Sequence, residues 1–344
     1  MLRYTIRRLL WGLLVIIAVT LAVFVLFGPV LQWRSNTIEP ARLYAGKNPS
    51  PAQIEQVREN LGLDDPFYVQ YANTVRRLFF GPSDEEKDNL CPNATEERCK
   101  ELVGRLGRSF EKQRSVDSLI ADRIGVTISL SIMASIIWLG ISIPVGIISA
   151  IKPRSIFDRV AMVFVLVGQS LPIYYFGLLS LYFFAYQWKI FPLGGYEKFD
   201  VANPWPWFSH IILPAMVLSL QFTALYVRLV RGGMMDAMGE DYVRTARAKG
   251  ASERRTIFKH ALRNALLPIV TIFGLDLGIL LGGAILTEAT FGLRGVGQLS
   301  VDAAVSFDVP LVSGVVMFSA IVIVMANIVV DLLYAVVDPR IRLS

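Results

Sequence analysis

Long stretches with almost no charge constrain the fold of this sequence more than any other feature. The chain of 344 residues is 54% hydrophobic and 18% charged, whereas an average soluble domain has about 25% charged residues. The apolar residues form runs of about 20, the length that crosses a bilayer as a helix. We therefore predict an all-α integral membrane protein. Its six transmembrane helices are expected over about Leu9–Val30, Thr127–Ala150, Val160–Tyr186, Ile211–Val227, Leu266–Thr287 and Leu311–Val330.

The first apolar stretch is predicted to be a retained helix and not a cleaved leader. A signal peptide also follows basic residues, but its apolar core is about 7–15 residues long and ends at small residues. This stretch is longer and ends at Phe27, Gly28 and Pro29. We expect an N-terminal transmembrane helix in 1–30, an external segment in 31–124, a core of five helices in 125–337 and a tail in 338–344.

Positively charged residues determine the predicted orientation, because Lys and Arg accumulate in the cytoplasmic loops of membrane proteins. With both termini in the cytoplasm, the inside segments hold sixteen Lys and Arg, and the short outside loops hold three. The inside segments are 1–8, 151–159, 231–263 and 338–344, and the outside loops are 187–210 and 288–310. The net charge of +6 therefore reflects membrane topology, and we expect no nucleic-acid partner.

The external segment is predicted to contain two short amphipathic helices. The first covers Ile54–Leu61, after the start signals Ser50 and Pro51. The second covers Phe67–Phe80, and a Gly-Pro pair follows it. We predict no transmembrane helix within this external segment.

The cysteines are expected to form a disulfide and not a metal site. Outside the cytoplasm, Cys91 and Cys99 are more often paired than free, and closing this loop would stabilise it by roughly 2–3 kcal/mol in the chain-entropy model. The alternative is a pair of free thiols on a mobile tip. A tetrahedral Cys/His metal site would need both cysteines and both His210 and His260, which are scattered along the chain.

Residues 231–263, which we call the basic loop, are predicted to form two short helices that meet at Gly250. Glycine tolerates the positive φ of a reversal at a helix C-terminus. Ser252 is a suitable N-cap for the second helix, and Glu253 in its first turn suits the helix dipole. One face of that helix is apolar and the opposite face is basic. The apolar residues are Ile257, Phe258, Ala261, Leu262, Ala265 and Leu266, and the basic residues are Arg254, Arg255, Lys259 and Arg263.

Two interpretations of the basic loop are open at this point. A solvated loop that merely obeys the positive-inside rule would account for its charge. The glycine break and the amphipathic helix favour instead an element that docks in a groove of a cytoplasmic partner.

The basic loop resembles the EAA loop of binding-protein-dependent ABC importer permeases. The strings Tyr242-Val-Arg-Thr-Ala-Arg-Ala-Lys-Gly250 and His260-Ala-Leu-Arg-Asn-Ala-Leu-Leu-Pro268 are typical of the peptide and nickel subgroup. The resemblance covers most of the chain and is weakest at 31–50 and 82–103. Further matching strings are Leu61-Gly-Leu-Asp-Asp-Pro66, Gly107-Arg-Ser-Phe110, Glu288-Ala-Thr-Phe-Gly-Leu-Arg-Gly-Val-Gly297, Asp308-Val-Pro310 and Asp331-Leu-Leu-Tyr-Ala-Val-Val-Asp-Pro-Arg340.

Three departures from the general family pattern are visible. Arg244, Thr245 and Ala246 stand where the general pattern begins with Glu-Ala-Ala, and Leu267-Pro268 comes later after Gly250. Both are normal in the peptide subgroup. The insertion that carries the cysteines is not typical, so its role stays open.

The resemblance implies a type I ABC importer permease in the inner membrane of a bacterium. Such a chain pairs with a second, homologous permease and docks on two ATPase subunits or domains, which bind ATP and Mg. An external binding protein delivers the substrate. The ATPase contact would come from Asp241, Arg244, Thr245, Ala246, Ala248, Lys249, Gly250 and Arg254. This sequence has no Gly-x-x-x-x-Gly-Lys-Ser/Thr phosphate loop, so we expect a non-catalytic subunit.

The fifth predicted span carries both a glycine stripe and an acid. Gly274, Gly278 and Gly282 lie four residues apart, a pattern that lets another helix approach closely. Asp276 lies near the middle of the same span and points nearly opposite to Gly278. A central Asp costs about 2.5–3.5 kcal/mol on insertion scales, so it is not expected to face lipid. It would either line the translocation pathway or bond a neighbouring helix, and both alternatives are open.

Gln169 and Ser170 lie just before Pro172 in the third predicted span. They would bond backbone groups that the proline leaves free, or they would face the pathway. The favoured interpretation is that Gln169 and Ser170 bond these backbone groups.

Other functions fit this sequence less well. A stand-alone secondary transporter would need its own coupling-ion site, and Asp276 is the only mid-span acid. A membrane enzyme would need a nucleophile–base set or paired carboxylates, which we do not find. An exporter permease would resemble this subgroup less. For the cargo, di- or oligopeptides are favoured over nickel or another small solute, because no His, Cys or Met cluster suggests nickel ligands.

Overall fold

Helices form where the sequence runs apolar, and they make up most of the described chain. The computed structural model describes residues 2–27, 50–61, 65–83, 87, 96–109 and 111–337. The elements are α1 (Leu2–Phe27), α2 (Pro51–Leu61), α3 (Phe67–Phe80), α4 (Glu96–Leu102), β1 (Arg108–Ser109), β2 (Arg114–Ser115), α5 (Val116–Ile151), α6 (Ile156–Ser170), α7 (Ile173–Ser180), α8 (Trp205–Gly239), α9 (Asp241–Ala248), α10 (Glu253–Arg255), α11 (Leu262–Leu281), α12 (Ile285–Thr290), α13 (Val296–Ser306) and α14 (Val309–Val337).

The number of membrane spans depends on how two bent helix pairs are counted. Within the described residues, four helices are long and apolar enough to cross a bilayer, over Ile6–Leu26, Val116–Ile151, Trp205–Gly239 and Val309–Val330. Two further pairs qualify as broken spans, which gives up to six. The predicted class of six-span, all-α membrane protein is confirmed when each pair counts as one span.

The third predicted span, Val160–Tyr186, is a broken span made of two helices. Helix α6 ends at Ser170, and α7 starts at Ile173 after a bend of 99°. The cause is Pro172, which lacks an N–H and disfavours the helical conformation at the residue before it. Leu171 is accordingly extended, at φ −87° and ψ 126°. A π-helical turn, Leu181–Gln187, continues α7.

The fifth predicted span ends earlier than expected. Helix α11 stops at Leu281, and Gly283 then adopts a φ of +128°. The backbone of Gly283 lies so close to Gly297 that a Cβ atom would come within 2.6 Å of the Gly297 Cα. A glycine in this conformation stops the helix, so Thr287 belongs to the separate helix α12.

Both predicted external helices are confirmed. Ser50 begins α2 with a capping box: its hydroxyl accepts from the Gln53 N–H at 3.3 Å, and the Gln53 side chain accepts from the Ser50 N–H at 2.8 Å. Helix α3 packs aromatic rings on α1, with Phe24 5.1 Å from Phe67 and 5.5 Å from Tyr71 between ring centroids.

The chain divides into two compact units, of which the first contains residues 1–127, 281–285 and 294–328. Its core is an apolar cluster of Val116, Leu119, Ile120, Val296, Leu299, Ala303, Leu311 and Val315. A two-residue antiparallel ladder pairs Arg108 with Ser115 and Ser109 with Arg114. The buried Ser109 hydroxyl donates to the buried Asp308 carboxylate, which also accepts from the Leu311 N–H at 3.2 Å. The hairpin of β1 and β2 is thereby fixed to the start of α14.

The second unit contains residues 128–280, 286–293 and 329–344. Trp138 is fully buried in it and stacks on Phe222, with ring centroids 4.6 Å apart. Helices α5 and α8 approach closely at Gly146, where a Cβ atom would lie 2.6 Å from the Val230 Cβ. This unit carries the basic loop and most of the polar residues discussed below.

Candidate functional site

The first helix of the basic loop presents nearly all of its surface to solvent. Helix α9 starts directly after α8 ends, with Glu240 as the extended N-cap residue between them. Val243 is fully buried and anchors the helix. Of the residues predicted to contact an ATPase, Ala246 is partly buried, and those that are exposed are Asp241, Arg244, Thr245, Ala248, Lys249, Gly250 and Arg254.

Gly250 ends α9 in a Schellman motif. The Gly250 N–H donates to the Arg247 carbonyl at 2.9 Å, and the Ala251 N–H donates to the Ala246 carbonyl at 3.1 Å. These two bonds satisfy the last carbonyls of the helix, and they require a left-handed residue at the position after the cap. Gly250 supplies it with a φ of +82°. The predicted reversal at Gly250 is confirmed.

The second helix of the loop begins as predicted. The Ser252 hydroxyl caps it by accepting from the Arg255 N–H at 3.4 Å. Glu253 occupies the first turn, where a negative charge suits the helix dipole. The Glu253 carboxylate also accepts from Arg247 at 2.9 Å across the turn. Because both side chains are substantially exposed, this ion pair is worth about 0–1 kcal/mol.

The apolar face predicted for the second helix is only partly buried. Ala261 and Ala265 are buried, but Phe258 is 55% exposed. The reason is a π-helical stretch, Thr256–Ala261, whose wider turn shifts side chains around the axis. The buried Thr256 lies one turn before Ala261. The exposed Phe258 ring therefore belongs to the surface of the basic loop.

Asp276 bonds a neighbouring helix. The Tyr226 hydroxyl on α8 donates to the Asp276 carboxylate on α11 at 2.8 Å. Tyr226 is fully buried, and its ring lies 5.9 Å from that of Trp138. This contact matches the packing alternative for Asp276, whereas its role in a pathway stays a hypothesis.

Gln169 and Ser170 are exposed at the C-terminal end of α6. The Arg228 guanidinium on α8 donates to the Gln169 side-chain oxygen at 2.8 Å. The Ser170 hydroxyl donates to the Leu166 carbonyl at 2.8 Å, one turn back in its own helix. Ser170 therefore bonds the backbone just before the Pro172 break, and Gln169 and Arg228 form an exposed polar pair.

The first two glycines of the stripe lie on a buried side of α11, and Gly282 follows the end of that helix. Gly274 and Gly278 are buried. A Cβ atom at Gly274 would lie 1.7 Å from the Val330 Cγ2 atom, so the glycine is what lets α14 approach. The Gly282 carbonyl accepts from the Ser319 hydroxyl at 2.9 Å.

The predicted disulfide falls partly outside the described residues. Cys99 lies in α4, whereas Cys91 is not among the residues that the structure describes. The pairing stays a prediction. Among the described residues, no group of three or more His, Cys, Asp or Glu side chains is arranged to hold a metal ion.

Comparison with known families identifies the chain. The family described as "Binding-protein-dependent transport system inner membrane component" matches residues 142–343. The family described as "Binding-prot-dependent transport system membrane comp, N-term" matches residues 1–131. The chain belongs to this permease family. As an inner-membrane component of a binding-protein-dependent ABC importer, it works with ATPase and substrate-binding partners.

Relatives of this permease match it over nearly its whole length. The dipeptide transport system permease protein DppB of Escherichia coli is 34% identical, covering 99% of both chains. The oligopeptide transport system permease protein AppB of Bacillus subtilis is 35% identical, covering 98% of this chain and 99% of its own. A probable peptide ABC transporter permease, y4tP of Sinorhizobium fredii, is 33% identical, again covering 98% and 99%.

A solved structure shares the fold of this permease. It is described as "Inward facing conformations of the MetNI methionine ABC transporter: CY5 native crystal form". The TM-score is 0.52 at 17% sequence identity, and the match covers 64% of this chain and 97% of the solved chain. The likeness supports the type I importer fold.

Sequence reasoning missed an ion pair at the first residue of the basic loop of this permease. Arg231 on α8 donates to both carboxylate oxygens of Asp158 on α6, at 2.8 and 3.0 Å. The Asp158 side chain is only 5% exposed and that of Arg231 is 27% exposed. The two residues are 73 positions apart, so no local pattern pairs them. The only sequence signal is a lone Asp in the basic segment 151–159.

Proposed function

We propose that this chain is a permease subunit of an ATP-driven importer for di- or oligopeptides. It forms half of the translocation pathway, and a second, homologous permease forms the other half. The assignment of a peptide cargo rests on full-length similarity, at 33–35% identity, to three permeases named for peptide transport. Nickel or another small solute is the alternative cargo within the same family.

The basic loop is the proposed docking element for two ATPase subunits or domains. Its turn is rigid because capping bonds satisfy both helix ends at Gly250 and Ser252. Its outer surface is available because α9 buries only Val243 and exposes its basic residues. A rigid helix pair with an exposed face suits insertion into a groove of a partner, as expected for the transmission of nucleotide-driven movement.

The proposed orientation places both termini and the basic loop in the cytoplasm. The excess of Lys and Arg in the inside segments supports it. ATP hydrolysis is assigned to the partner subunits, and this chain has a non-catalytic role. The bilayer is the bacterial inner membrane, and a binding protein delivers the peptide from outside.

The exposed pair Gln169 and Arg228, with the neighbouring Ser170, is the proposed polar contribution to the pathway. These groups are exposed although they lie within helices of apolar composition. For Asp276, the bond to Tyr226 supports a packing role. Replacement of Asp276 by Asn tests this assignment: a packing acid predicts unchanged selectivity between cationic and neutral peptides, and a pathway acid predicts selective loss of cationic ones.

Uptake measurements test the proposed function directly. The gene is deleted in its own host, and uptake of radiolabelled dipeptides, longer peptides and nickel is compared with the parent strain. We expect peptide uptake to be lost, to return with the wild-type gene, and to stop when ATP synthesis is blocked. Loss of nickel uptake with normal peptide uptake would establish the alternative cargo. Uptake that persists without ATP and follows an ion gradient would refute the importer assignment.

A further inference from the structure

Helix α8 is joined to three other helices at the start of the basic loop. The first connection is the ion pair between Arg231 and Asp158, in which the guanidinium fork meets both carboxylate oxygens. Bidentate pairs of this kind fix orientation as well as distance. Because Asp158 is nearly buried, water competes little for the contact. The pair fastens the start of α6 to α8 eight residues before α8 ends at Gly239.

The same carboxylate organises the turn that leads into α6. Asp158 accepts a third bond, from the Arg154 N–H at 2.8 Å. Arg154 has a φ of +63°, a left-handed conformation that is unfavourable for a non-glycine residue. The Asp158 N–H in turn donates to the capping Ser155 hydroxyl at 3.2 Å. One side chain thus holds a strained cytoplasmic turn and connects it to α8.

Two close helix–helix contacts at glycines complete the connection of α8 to its neighbours. On α5, a Cβ atom at Gly146 would lie 2.6 Å from the Val230 Cβ, so only glycine fits between α5 and α8. On α8 itself, a Cβ atom at Gly233 would lie 3.3 Å from the Ala265 carbonyl oxygen of α11. Val230 is fully buried. Three residues of α8, Val230, Arg231 and Gly233, therefore contact α5, α6 and α11 in turn.

We propose that these contacts form a transmission junction, through which movement of the basic loop drives α5, α6 and α11 together with α8. We define the α8 junction as Gly146, Asp158, Arg231, Gly233 and Ala265. Asp158 is its positioning residue, because its carboxylate is the polar link between α6 and α8. The proposal rests on the proposed function of the basic loop as the ATPase docking element.

The physical basis is that packed contacts of this kind transmit displacement instead of absorbing it. Protein interiors are close-packed and have low compressibility. The junction contains a bidentate ion pair, a contact at Gly146 that leaves no room for a Cβ atom, and a tight contact at Gly233. A docking element joined to the spans at a single flexible point would move without them. Joined here to three helices, it moves them as a group.

The test measures peptide transported per ATP hydrolysed by the whole transporter. The complex is purified from its own host through a tag on this chain and reconstituted with its binding protein. The variants are Gly146→Ala, Asp158→Asn, and Asp158→Asn combined with Arg231→Gln. We expect the first two to lower the ratio at least tenfold. The double variant is expected to recover most of it, because two neutral amides restore a hydrogen-bonded link.

Matched controls separate coupling from general damage. Gly140→Ala changes a glycine on the same helix where a Cβ atom meets nothing within 4 Å. Asp122→Ala removes an exposed Asp from its 2.9 Å pair with Arg114. Both controls are expected to keep the wild-type ratio. The ratio counts assembled complexes only, so a merely structural role would lower the yield and leave the ratio unchanged.

The outcomes are distinct. A lowered ratio in Gly146→Ala and Asp158→Asn, with both controls normal, supports the junction. An unchanged ratio, or variants that fail to assemble at all, overturns it in favour of a structural role. If the wild-type complex shows no ATP-driven uptake of peptides, the proposed function fails before the junction is tested.

Discussion

The turn at Gly250 allows the sharpest prediction, because its cost can be assigned to one backbone conformation. A Cβ atom at Gly250 would meet nothing within 4 Å, so Gly250→Ala creates no clash. The φ of +82° remains, and a left-handed conformation costs an L-residue about 1–2 kcal/mol. That energy corresponds to a factor of about 5–30 in a population. If the ATPase binds only the native turn, its apparent affinity falls by the same factor.

The assay for Gly250→Ala is titration of the purified ATPase subunit onto the purified permeases, with ATP-driven peptide uptake measured in parallel. Gly250→Asn is expected to recover most of the affinity, because Asn tolerates the left-handed region better than Ala. Gly239→Ala is the matched control: its Cβ also meets nothing within 4 Å, and its φ is not in the positive range. Equal affinities for the two Ala variants would refute the reasoning, because they differ only in backbone conformation.

Three further predictions concern the membrane helices and the hairpin of β1 and β2. Gly274→Ala should destabilise the protein by about 1–3 kcal/mol, since its Cβ would meet Val330 at 1.7 Å; adding Val330→Ala should recover thermal stability in detergent, and no recovery would exclude this contact. Asp276→Ala leaves the buried Tyr226 hydroxyl unpaired and should cost about 1–3 kcal/mol; adding Tyr226→Phe should restore the melting temperature, and an unaltered single variant would contradict the bond. Burial raises the pKa of Asp308 above the roughly 3.9 of an unfolded Asp. The stability that protonated Asp308 contributes is therefore full below about pH 4 and is lost as the pH rises through the folded pKa. Asp308→Asn should flatten the fall of the melting temperature over this pH range, and an unchanged slope would show that another group causes it.

Local sequence signals predicted the parts of the fold that depend on neighbouring residues. The helix Phe67–Phe80 was predicted with its observed ends, because a Gly-Pro pair stops it. The reversal at Gly250 and the cap at Ser252 were also predicted, since capping chemistry is contained within a few residues. These features need no knowledge of the rest of the chain.

The features that sequence reasoning missed depend on distant residues or on competing local effects. Asp158 and Arg231 are 73 positions apart, and Tyr226 and Asp276 are 50 apart, so their pairing follows only from helix packing. Pro172 was recognised in the sequence, but the size of the bend there, 99°, depends on packing that the local sequence does not contain. At Phe258, the expected α-helical period failed because the backbone is π-helical there.

The two helices that leave the basic loop differ in how well they can carry movement into the membrane. Helix α8 runs as a single helix from Trp205 to Gly239, although it contains Pro214. At 1.5 Å per residue, its 35 residues span about 52 Å, well beyond the roughly 30 Å of a hydrocarbon core. It therefore extends out of the bilayer and reaches the loop as one body.

On the other side of the loop, the chain re-enters through a π-helical stretch, and the pair Glu253–Leu266 and Pro268–Leu281 is bent by 49°. A helix bent by 49° absorbs displacement that a straighter helix would pass on. Movement of the loop should therefore reach the spans mainly through α8. The contacts of Val230, Arg231 and Gly233 with α5, α6 and α11 lie on this helix. In the proposed mechanism, the basic loop moves with the ATPase, and α8 transmits that movement to the membrane spans.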